Sequence, residues 1–195
     1  MTGQNTTPSE DFVISIMSRD RIGIVYEISK AISELDGNIA DIRQSVMCGY
    51  FTMILLAAFP ARVTQRDIER KLAEVDARSE TAIDAAVKKA AGSSPLESAV
   101  PANAYVLTAT GADQVGFVAT VAEFCVAHRV NILDLSTTTS GGEYVMILLV
   151  DLRRCESVGA VRADLARFAQ QKGLRVVLQH YNIFKAVNES NLPVQ

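Results

Sequence analysis

A chain that repeats itself must fold as two copies of one unit, and that constraint dominates everything else in this sequence. Sliding the 195 residues along themselves by 93 positions lays Phe12 to Phe59 on Tyr105 to Leu152 without a gap. The identities include Val13/Val106, Asp20/Asp113, Gly23/Gly116, Val25/Val118, Asn38/Asn131, Ile39/Ile132, Asp41/Asp134 and Gly49/Gly142. Met53 to Leu56 falls on Met146 to Leu149. Twelve identities in 48 positions would be modest alone, but they keep one register and gather at Gly, Asn and apolar positions, as a duplication requires.

Each copy reads in the same order. A β-branched and aromatic run, Phe12 to Met17, predicts a strand, matched by Tyr105 to Thr110. After a polar loop, a helical period begins at Ile24 and continues through Ile28, Ala31, Ile32 and Leu35; Asp36-Gly37-Asn38 supplies the residues expected past a helix end. The second copy runs from Phe117 to His128 and ends on Arg129-Val130-Asn131. A hairpin follows, turning at Cys48-Gly49 in one copy and at Ser140-Gly141-Gly142 in the other. A second helix is marked by Ile68, Leu72 and Val75 after a capping Thr64, and by Val161, Leu165 and Phe168. Leu174 to His180 closes the second copy as a strand. In the first, Thr81 to Ala91 is helical by its Ala and Lys content, yet the duplication demands a strand there.

The order strand, helix, strand, strand, helix, strand predicts an α+β chain of two ferredoxin-like βαββαβ units in tandem. The expected bounds are 11–91 and 104–188, with a Gly, Ser and Pro linker at 92–103 and a short helix over 182–188. Residues 1–10 are expected to be disordered. An edge-to-edge joining of the units into one eight-stranded sheet would remove exposed edges.

Asp20 to Val25, Gly37 to Ile39 and Tyr50 to Ile54 resemble the ACT domain family. Asp113 to Val118, Val130 to Ile132 and Glu143 to Ile147 are a looser version. Two such units and nothing else is similar to the repressors of the glycine cleavage system, and the first copy with the tail 183–187 to the small stand-alone bacterial ACT proteins. The family often has Pro before the motif glycine, where this chain has Ile22 and Val115. The resemblance implies a non-catalytic regulator that binds an amino acid or similar metabolite and acts through a protein partner; the alternative is an assembly module without a ligand. It places ligand contacts at Asp20, Arg21, Ile22, Gly23, Ile24, Asn38 and Ile39, and at Asp113, Gln114, Val115, Gly116, Asn131 and Ile132, with the loop of one unit meeting the second strand of a neighbour.

The residues themselves allow blander roles. Asp20 and Asp113 suit helix N-caps, Gly23 and Gly116 a close helix–strand approach, and Asn38 and Asn131 a left-handed turn. The copies also differ: Arg21 offers a cation where the second copy has Gln114, and Ile24 is replaced by the larger Phe117, so the first copy is the expected binder.

Composition narrows the function classes further. A net charge of −3 with mixed signs leaves no basic footprint for direct nucleic-acid binding. No apolar run approaches the ~20 residues of a membrane-spanning helix. The polar start is not a secretory signal, and three widely spaced cysteines suit a reducing compartment, so a cytoplasmic location is expected. Two histidines and no phosphate loop, dinucleotide fingerprint or nucleophile elbow argue against an enzyme or a resident cofactor. Cys125 and His128 share a helix without a second ligand pair, so no metal is expected. Ile54, Leu56, Ile147 and Leu149 make the sheet face away from the helices apolar, which predicts its burial against a second copy, giving a homo-oligomer, or against the other repeat.

Overall fold

The computed structural model describes residues 9–90, 101 and 103–189. The chain divides into two compact units between residues 96 and 97. The first comprises β1 (Ser9–Arg19), α1 (Ile24–Ser33), β2 (Asn38–Met47), β3 (Tyr50–Pro60), α2 (Gln65–Asp76) and β4 (Ile83–Lys89). The second comprises β5 (Ala104–Ala112), α3 (Phe117–Ala127), β6 (Asn131–Ser140), β7 (Glu143–Asp151), α4 (Val158–Lys172), β8 (Arg175–His180) and a final helix α5 (Tyr181–Glu189). Each unit is a four-stranded antiparallel sheet, in the orders β2-β3-β1-β4 and β6-β7-β5-β8. The fold is therefore α+β, two βαββαβ units in tandem.

Alternation builds each core. Phe12, Ile14 and Ile16 of β1 and Phe51, Met53, Leu55, Ala57 and Phe59 of β3 are buried under Ile24, Ile28 and Ile32 of α1 and Ile68 and Leu72 of α2. Burying a side chain of this size contributes about 1.5 to 3 kcal/mol. The second core repeats the plan with Leu107, Met146, Leu148 and Val150 under Val121, Phe124, Val161 and Leu165. On the opposite face of the first sheet Val13, Ile54 and Leu56 form an apolar strip flanked by Arg43, Asp84 and Lys88, and Ile54 is 49% exposed. Both hairpins turn on two left-handed residues, Cys48-Gly49 and Gly141-Gly142, so the second turn lacks Ser140, which ends β6.

The strand expected near residues 81–91 forms as β4, with Ile83 and Val87 buried; pairing with β1 overrides the helical propensity of its Ala and Lys. Ser9 and Glu10, expected without order, instead head β1 opposite Pro60 and Phe59, while residues 1–8 lie outside the described residues. So does the expected linker, apart from residues 101 and 103. Within each unit the ladder is a four-stranded sheet of that unit's own strands. After α1 the left-handed residue is Asp36, at φ 57°, and not Gly37; after α3 it is Arg129, at φ 54°. Gly37 is small for a different reason: a Cβ there would lie 2.4 Å from Phe59 Cε1.

Candidate functional site

The loop between β1 and α1 begins where the sheet ends. The Asp20 N–H donates to the Gly49 carbonyl at 3.0 Å, which ties the loop to the β2–β3 turn. Asp20 itself is exposed and does not cap α1. The N-cap is Gly23, at φ 95°, with no side-chain cap, and the second unit repeats this at Gly116, at φ 87°. The capping role expected of Asp20 and Asp113 is thus displaced three residues along, onto a backbone geometry that glycine adopts without strain. Nor do these glycines permit a close strand approach. A Cβ on Gly23 would meet only Glu27 Oε1 at 3.7 Å and Arg21 Nη1 at 4.0 Å, and one on Gly116 would meet nothing within 4 Å.

Without a side-chain cap, the first N–H groups of α1 stand at the positive end of the helix, where an anion is favoured. The two units differ in that turn. The Phe117 N–H donates to the Gln114 carbonyl at 3.2 Å, and among the described residues Ile24 makes no corresponding bond. Phe117 is buried edge-on against Tyr144, ring centroids 5.0 Å apart, so the second unit fills the space beneath its own loop. Ile22 and Val115, by contrast, stand fully exposed at the loop tips.

Arg21 is wholly engaged within the first unit. Its Nη1 and Nη2 donate to Oε1 and Oε2 of Glu27 at 2.8 and 2.6 Å, Nη2 also to Ser79 Oγ at 2.7 Å, Nε to Thr81 Oγ1 at 3.2 Å, and Nη1 to the Ile22 carbonyl at 3.4 Å. Thr81 Oγ1 in turn lies 3.1 Å from Ser18 Oγ. All five guanidinium N–H groups therefore have partners in the chain. The hydrogen bonds from Arg21 hold the Glu27 carboxyl below the usual carboxylate range. Ser79 and Thr81 escape a sequence reading because the chain's return through α2 brings them to Arg21, whereas Glu27 meets it from the first turn of α1, six residues on.

Asn38 and Ile39 do not meet this loop within their own unit. Asn38 begins β2 opposite Ala58, whereas the loop leaves β1 at Arg19, opposite Tyr50. Eight residues of β3 separate those ends, about 26 Å at ~3.3 Å per residue. Neither Asn38 nor Asn131 is left-handed. Each opens a strand that bulges two residues on, where Asp41 Oδ1 accepts the Ile42 N–H at 2.8 Å and Asp134 Oδ1 the Leu135 N–H at 2.9 Å. The recurring Asn-Ile-x-Asp thus records a shared β-bulge as well as a candidate contact. Ile39 and Ile132 are partly buried against their cores.

The remaining chemistry-bearing residues are dispersed. Cys125 is buried and its thiol is pushed up to about 11 by burial, while His128 lies against the Phe124 ring at 4.3 Å and 3.6 Å from Asp164. Among the described residues no three metal-ligating side chains gather. None of the helices described is long and apolar enough to cross a membrane.

Two spans, residues 10–86 and 103–179, match the ACT domain family, and the chain belongs to it. A UPF0237 protein of Methanopyrus kandleri is 34% identical over 84 residues, 43% of this chain and 93% of its own length. A UPF0237 protein of Neisseria meningitidis serogroup B is 48% identical over 44 residues, 23% of this chain and 49% of its own. Among solved structures, an unknown protein from Galdieria sulphuraria superposes with a TM-score of 0.71 at 24% identity, over 89% of this chain and 99% of that one. A structure described as a glycine cleavage system transcriptional repressor gives 0.68 at 14% identity, over 88% and 96%. These two likenesses are of fold.

Proposed function

We propose that this protein is a non-catalytic regulator that binds an amino acid or similar small metabolite at the β1–α1 loop of its first unit and acts through a protein partner. The process regulated would be glycine cleavage or a related step of amino-acid metabolism. The observation that carries the reading is the turn at Gly23, which leaves the start of α1 without a side-chain cap, so that its first N–H groups are open to a ligand carboxylate. Arg21 holds the loop in place. A contact from Asn38 to the ligand must come from another ACT unit, because its own unit keeps it at the far end of the sheet. An antiparallel pairing of β2 edges would reverse those ends and bring them together. The exposed Ile42 and Val46 on that edge strand give such a pairing an apolar component, which supports a homo-oligomer.

The test is a thermal-shift screen of the full chain against the common amino acids, followed by titration calorimetry of Asn38→Ala. A binder at 100 times its Kd should stabilise the protein by about 2.7 kcal/mol. Weaker binding by a folded Asn38→Ala would support the shared site, and unchanged affinity would remove Asn38 from it. The second reading, an assembly module without a ligand, is favoured at the second unit by the packing of Phe117 on Tyr144; a screen with no binder would extend that reading to the whole chain.

A further inference from the structure

The outer surfaces of the two helices differ between the units in a way that the duplication makes interpretable. In the second unit Phe124 of α3 and Phe168 of α4 pack with ring centroids 5.0 Å apart, and His128 lies on Phe124 at 4.3 Å, so aromatic rings fill the cleft between the helices. At the same 93-residue offset the first unit has Ala31 on α1 and Val75 on α2. The helix pair is retained, the rings are gone, and a cavity of about 240 Å³ opens in their place, lined by Ala31, Val75, Tyr26 and a charged rim.

The rim selects the charge of an occupant. Both oxygens of Glu27 are taken by Arg21, and Lys71 holds Glu34 at 2.7 Å and Glu74 at 3.6 Å. Lys30 on α1 and Arg78 just past α2 are the slackly paired groups, at 3.9 Å from Glu34 and 4.0 Å from Glu74. An anion can therefore engage these two cations without breaking a close ion pair. Tyr26 is 67% exposed, with the Lys30 ammonium 5.9 Å from its ring centroid, and offers a face for stacking beside that charge.

We propose that the cleft between α1 and α2 is a second binding site, for a planar aromatic carboxylate. The ring takes the space that Phe124 and Phe168 fill in the sister unit, and the carboxylate meets Lys30 and Arg78. This site adjoins the β1–α1 loop through Glu27 but takes its ligand on other side chains and does not depend on a ligand at the loop.

The experiment is a titration of the ¹⁵N-labelled full chain with phenylacetate, with acetate and cyclohexylacetate as controls. Saturable amide shifts centred on Tyr26, Ala31 and Val75 are expected with phenylacetate alone. The double variant Ala31→Phe with Val75→Phe gives the first unit the rings of the second and should weaken binding at least tenfold while circular dichroism shows the fold retained. Lys30→Met with Arg78→Gln leaves the cleft open and should also weaken binding at least tenfold; it decides the matter if the ring variant misfolds. Asn38→Ala should leave phenylacetate affinity unchanged, which separates this site from the loop site. Equal binding of a control compound, undiminished binding by either folded double variant, or no saturable shift would overturn the proposal.

Discussion

Phe59 occupies the space that a side chain on Gly37 would need: a Cβ at Gly37 would lie 2.4 Å from Cε1 and 2.8 Å from Cδ1 of that ring. The same pair of positions in the second unit holds Val130 and Leu152, a larger residue facing a smaller one, and both are buried. Gly37→Val alone should cost about 1 to 3 kcal/mol through overpacking. Adding Phe59→Leu, which copies the second unit, should recover part of that loss, with a coupling of about 1 kcal/mol or more. Urea unfolding of the two single variants and the double gives the cycle; strict additivity would refute the packing account.

Arg21→Gln removes a bidentate pair whose arginine side chain is 17% exposed. The loss should be about 1 to 2 kcal/mol, between the ranges for exposed and buried pairs. Because Arg21 lowers the Glu27 pKa in the folded state, the pair's contribution is present above the unfolded value of about 4.3 and is lost as pH falls through the folded value. The stability difference between wild type and Arg21→Gln should therefore shrink below about pH 4. A difference that grew towards acid pH would contradict the assignment.

Helix capping separates two residues that look alike in sequence. Thr64 accepts the Asp67 N–H while Asp67 accepts the Thr64 N–H, a reciprocal box at the start of α2. Thr64→Ala should cost about 1 kcal/mol. Asp20→Ala, which removes no cap, should stay within about 0.5 kcal/mol. Equal losses from the two variants in thermal unfolding would restore Asp20 as a cap.

Gly23→Ala should destabilise the first unit by about 1 to 2 kcal/mol, since φ 95° is strained for a residue with a Cβ even though the space around it is open. Asn tolerates left-handed backbone better, so Gly23→Asn should lose less. Chemical denaturation of both variants checks the order, and a larger loss for Asn would point to a steric origin instead.

The fold was legible because alternation, helical period and the repeat all specified one order of elements. The repeat even overruled local propensity correctly at β4, where Ala and Lys alone favour a helix. The α2 cap was readable from Thr64, because a capping box is a local pattern. The candidate site was legible only in part. Asp20 misleads because Asp is a preferred cap, while the chain continues to a left-handed Gly23 before turning. Arg21 reads as a free cation because its partners Ser79 and Thr81 lie some 60 residues away. Asn38 opens its strand at the end of the sheet away from its own unit's loop, a distance that only the register of β3 gives and that leaves its contact to a neighbouring unit.

The unequal burial of the three cysteines gives the molecule a chemical handle. Cys125 is shielded and Cys155 half-buried, and burial raises both thiols, whereas Cys48 is exposed in the turn whose next residue accepts the Asp20 N–H. A maleimide fluorophore added to the native protein should attach at Cys48 ahead of the others. The dye would then sit beside the β1–α1 loop, turning that hairpin into an optical reporter without any mutation.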